Sequence, residues 1–148
     1  MTEIQKLTKE QFAEETTAIY IHVFRQLDKL FDKHPKIDAD FEKDIDELHK
    51  ISVGQMVEYG KVLAEKDQET SHEYRLASLF AMAKKAEKFE SELNDFEKRF
   101  DEKMPELQAY GGNNLNRKFK DFFGIMDFMD VEQIKEDHPV SAKEFGIE

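Results

Sequence analysis

The sequence predicts an all-α protein, an up-down-up-down four-helix bundle with a short helical C-terminal extension. Three observations carry that expectation. Apolar residues recur at helical spacing along most of the 148 residues, only six glycines and three prolines interrupt them, and capping signals open the segments. A chain of this length fits one domain, residues 1–148, and buries enough surface to fold without disulfides or metal. The expected helices cover about 9–33, 39–66, 71–104 and 114–129, with short turns over 131–146.

The first helix has the clearest start. Thr8 and Gln11 fit a capping box, with Leu7 and Phe12 as its hydrophobic staple. Ala13, Thr17, Tyr20, Phe24, Leu27 and Phe31 then form one stripe, which Ile19, Val23 and Leu30 widen. Pro35 ends it by pushing His34 out of helical geometry. Asp38 is the expected cap of the second helix, whose stripe reads Phe41, Ile45, Leu48, Ser52, Gln55, Tyr59 and Val62. Ser52 and Gln55 are polar in mid-stripe. They suit close helix approach beside Gly54, or with Tyr59 the wall of a polar cavity.

Thr70 and Glu73 fit a second capping box. From there Leu79, Met82, Ala86, Phe89, Leu93, Phe96 and Phe100 keep a heptad rhythm that suits packing within the chain or against a second copy. Gly111 and Gly112 punctuate the chain before the fourth helix. Leu115, Phe119, Met126 and Met129 fall within about 60° of Phe122 on that helix, with Phe123 near +100° and Phe128 near −120° from it. So wide an apolar arc means either a wedged helix or a surface kept for a partner, and Phe123 and Phe128 are the candidate partner-binding residues. In the tail, Asp130 and Gln133 mark one short helix. Ser141 and Glu144 mark another, with Val140 and Phe145 as its staple.

Charge narrows the function classes. There are 33 acidic and 22 basic residues, a net −11, which opposes direct nucleic-acid binding. There is no cysteine, so thiol catalysis and cysteine-based zinc sites are excluded. No apolar leader opens the chain and no apolar run approaches the roughly 20 residues that span a bilayer, so a cytoplasmic location with no membrane contact is expected.

Chemistry is sparsely written. No GxSxG, P-loop, GxGxxG, HExxH or EF-hand pattern is present. A di-metal bundle site needs Glu-x-x-His pairs meeting in the core, and two partial matches exist, Asp46–His49 and Glu69–His72. An antiparallel hairpin offsets these two by roughly 22 Å, so one centre cannot use both. Glu69 and His72, on the stripe that continues to Leu79, are the metal candidates. His34 and His138 precede prolines and read as exposed turn residues. The basic cluster Asn116–Lys120 reads as the polar side of the fourth helix.

The expectation for function is a non-enzymatic interaction protein, an adaptor, regulator or inhibitor with a protein partner and no catalytic residue or cofactor. A homodimer is one form of that partnership. A metal-binding or oxidative bundle enzyme at Glu69 and His72 is one alternative, and an acidic mimic of nucleic acid that inhibits a basic partner is the other.

Overall fold

Side-chain caps set where the long helices begin. In the computed structural model, which describes residues 3–147, Thr8 Oγ1 accepts from the Gln11 N–H at 3.1 Å and Gln11 answers by accepting from the Thr8 N–H. That reciprocal box opens α1, Lys9–Lys33. Asp38 accepts from the Phe41 N–H and opens α2, Ala39–Ala64. The described residues are all-α. The remaining helices are α3 (Gln68–Lys88), α4 (Glu90–Tyr110), α5 (Asn113–Phe123), α6 (Val131–Asp137) and α7 (Pro139–Glu144), with 3-10 turns at Ile4–Lys6 and Ile125–Met129.

Ring contacts give the register. Phe31 stacks on Phe41 at one end of α1 and α2, and Phe12 meets Tyr59 edge-on at the other, so the two helices run antiparallel. The α3 helix follows α1 in the same direction: the Tyr74 hydroxyl donates to the Leu7 carbonyl, and Thr16 Oγ1 donates to Ser78 Oγ at 3.0 Å. Further along, α4 continues beside α1, with Arg25 on Glu92 and Arg99 on Asp28. The α5 helix lies on α2 through Lys118 and Asp46. Between them sits an aromatic core of Phe31, Phe41, Phe96, Phe119 and Phe122, each ring contributing about 1.5–3 kcal/mol by burial.

Several expectations need correction. The expected helix 71–104 is two helices. Asp67 rather than Thr70 caps the first, and the chain breaks at Phe89, whose φ of −104° and ψ of 7° end α3 before α4 starts. The α3 helix turns Ser71 and Ser78 inward for close approach to α1, and leaves Leu79 and His72 outside. The α4 helix then packs Phe96 and Leu107, and it runs through Pro105 to Gly111, which takes a left-handed φ of 74°.

The expected fourth helix is likewise shorter. It stops at Phe123, and the tighter 3-10 turn after Gly124 rotates Ile125, Phe128 and Met129 into the core. That turn presses against α2 at Gly60, where an added Cβ would lie 2.4 Å from the Phe128 carbonyl oxygen. At the C-terminus Asp130 caps α6, as its sequence position suggests. Pro139 rather than Ser141 opens α7, which leaves Val140 exposed instead of stapled. On α2 the buried stripe takes in His49, Val53 and Met56, so Ile51 and Gln55 face outward and Gln55 walls no cavity.

Candidate functional site

A broad concave surface runs between α1 and α3. Small residues dominate where these helices meet, and their shortness leaves a groove of about 740 Å³. Ala13, Ala18, Ile21, Ala77 and Ala81 supply its apolar lining, and Phe89 closes one end. Its charge is segregated. Glu10 and Glu14 stand at the end where α1 begins, and Arg25, Lys84, Lys85 and Lys88 stand at the end where α3 stops. In a chain of net charge −11 this is a concentrated basic rim.

One polar atom in the groove lacks a protein partner. Thr17 is 2% exposed, and its Oγ1 makes no hydrogen bond. The neighbouring Thr16 spends its hydroxyl on the Phe12 carbonyl and Ser78. A buried hydroxyl without a partner costs roughly 1–3 kcal/mol. Arg25 marks the far boundary. Its guanidinium carbon lies 4.3 Å over the Phe89 ring while the side chain holds Glu92, separating the groove from a smaller hollow of about 280 Å³ lined by Tyr20, Phe24, Leu93 and Phe96.

A second cluster of chemistry-bearing residues is buried where α2, α5 and α7 meet. Asp121 lies at its centre. His49 Nε2 donates to its Oδ2 at 2.7 Å, His138 Nδ1 donates to its Oδ1 at 2.7 Å, and Ser141 Oγ donates to Oδ2. Burial works to raise the Asp121 pKa, but the bonds from His138, His49 and Ser141 hold it well below the ordinary carboxylate range. Burial likewise opposes charge on His138, yet Asp121 and Asp127 on its two ring nitrogens raise its pKa. His49 Nδ1 is buried and unpartnered, as is Ser52 Oγ one turn along. His49 is also held between the rings of Phe122 and Phe145.

This arrangement fastens the C-terminal helices to the bundle. Ser141 Oγ points at a carboxylate and receives Arg117 at 2.7 Å, so no histidine stands ready to take its proton. Both histidines spend a nitrogen on the same carboxylate, and among the described residues no group of three or more His, Asp or Glu side chains is placed to hold a metal ion.

The predicted site residues lie apart from one another. Glu69 and His72 are exposed on the first turns of α3, far from the buried histidines. Phe128 is fully buried against His138 and does not offer a surface, because the 3-10 turn carries it inward. Phe123 is 45% exposed, with its inner face against Phe24, Phe96 and Phe100. His138 is buried rather than an exposed turn residue, and His34 is half-buried on Asp44. Lys118, expected on the polar side of the fourth helix, is buried, and so is Asp121 beyond it. Motif spacing could not find the Asp121 cluster, since its members lie 72 and 17 residues apart. The one local signal is an acid set among three phenylalanines, at Phe119–Phe123. No family model, no curated protein and no solved structure matches this chain.

Proposed function

We propose that this protein works by binding rather than by catalysis, and that the α1–α3 groove is its working surface. The guest that fits is an amphipathic helix of a partner protein, with apolar residues along one face and acidic residues at the end lying over Lys84, Lys85 and Lys88. The groove itself carries the reading: an apolar trough ending in a basic rim, on a molecule that is otherwise acidic. From Glu10 to Arg25 it spans about 22 Å, the length of a helix of roughly 15 residues. Alanines at the floor admit a backbone closely. Behind the groove we read α1, α2, the α3–α4 column and α5 as an up-down-up-down bundle, the rigid support such a trough requires.

Selection of helical peptides from a random displayed library tests this. Enriched peptides are expected to be apolar on one face and acid-ended. They should lose at least about tenfold in affinity on Lys85→Glu/Lys88→Glu and on Ala18→Glu, both at exposed rim positions. Peptides with no acidic bias, or binding that ignores both variants, would overturn the reading.

A further inference from the structure

The outer face of α3 is apolar as well as its inner one. Phe80 is 72% exposed, and Leu76 and Leu79 are exposed beside it, although the rest of the surface is heavily charged. At 100° per residue Leu76 lies about 40° from Phe80 on one side, and Glu73 and Lys84 lie about 20° and about 40° from it on the other. Acid therefore precedes the apolar pair along the helix and base follows it. Charge that reverses along a face complements itself when the same face is presented antiparallel.

We propose that this face binds a second copy of the chain, α3 against α3, about a twofold axis at the level of Ser78 and Leu79. In that register Glu73 of each copy faces Lys84 of the other, on the same side of the contact. Leu76 of each copy comes within about one residue's rise of Phe80 of the other. The two Glu73–Lys84 pairs flank a small apolar centre built from four side chains. One feature opposes the pairing: Glu87 of each copy falls beside Glu69 of the other at the outer ends. Lys84 stands on the rim shared with the α1–α3 groove, so the second copy borders that groove without filling it.

Interface size sets the strength. A face about 30 Å long and about 10 Å wide buries less than the standard ~1,600 Å² interface, so the dimer is a weak one, with a dissociation constant of about 10–100 μM. Sedimentation velocity over about 5–500 μM protein measures it. Phe80→Asp is expected to weaken association at least about tenfold, and since the side chain is exposed, circular dichroism should report an intact fold. Lys84→Glu alone sets two glutamates face to face and weakens pairing about fivefold, and adding Glu73→Lys restores it. Glu87→Lys replaces the end repulsion with attraction and tightens the dimer. A monomer at every concentration overturns the proposal, as does association that is indifferent to Phe80→Asp. Additive losses in the Glu73→Lys/Lys84→Glu double variant, in place of restoration, overturn the antiparallel register.

Discussion

A single carboxylate decides how the C-terminal segment is held. Asp121 accepts from two histidines and a serine, and with Asp127 it raises the pKa of His138, whose ring lies between the two acids. The pH dependence follows from the two shifts. The folded-state pKa of His138 is raised, so its contribution is complete below about pH 6.5, its unfolded value, and is lost as pH rises through the folded one. The folded-state pKa of Asp121 is lowered, so its contribution is complete above about pH 3.9 and is lost only as pH falls toward its folded value. The pair therefore stabilises most between about pH 4 and 6.5. His138→Asn is expected to cost more at about pH 6 than at about pH 9, read from urea midpoints of variant and wild type at each pH. An equal cost at both pH values would mean that the imidazole is neutral when folded. None of this was legible in the sequence, where Pro139 made His138 look like a turn residue. A proline at the first position of a helix leaves the preceding side chain free to point inward, as it does here.

Among the elements, α2 shows what the chain's few glycines do. Gly60 lets the Ile125–Met129 turn come within backbone contact, and a methyl there meets the Phe128 carbonyl, which cannot yield without moving the turn. Gly54 faces only the Phe145 ring edge, 3.3 Å from an added Cβ, and that ring can shift by a few tenths of an ångström. Gly60→Ala is therefore expected to lose about 1–3 kcal/mol, and Gly54→Ala to fall near neutral or gain up to about 1 kcal/mol from helix propensity. Chemical denaturation of the two variants side by side checks this, and similar losses would show that α2 and the turn are not in close register. The start of α1 and the caps at Asp38 and Asp130 were legible because each depends on a handful of neighbouring residues. The break at Phe89 was not. It has no glycine or proline, and the heptad rhythm runs through it unbroken although the Phe89 backbone leaves helical geometry. A periodic pattern reports which residues would align on a continuous helix, and it cannot report where tertiary packing interrupts one.

For the whole molecule, charge acts at two ranges, and they pull in opposite directions. Each copy carries −11, so two copies repel over the full width of the molecule, and the acidic composition that was plain in the sequence works against self-association. The proposed α3 contact is local: Glu73 and Lys84 attract across a few ångströms, and Leu76 and Phe80 are indifferent to salt. Screening discriminates by distance. The Debye length falls from about 30 Å at 0.01 M salt to about 8 Å at 0.15 M, which removes most of the long-range repulsion and leaves contact pairs the least affected. Dimerisation should therefore tighten severalfold as salt rises over that range, opposite to the behaviour of an acidic surface seeking a basic partner, where salt weakens binding. Sedimentation at the two ionic strengths measures the sign directly. Tightening places the contact in the apolar and short-range terms of α3, whereas weakening would mean that long-range attraction between unlike faces holds the copies together and that the α3 pairing is not the contact.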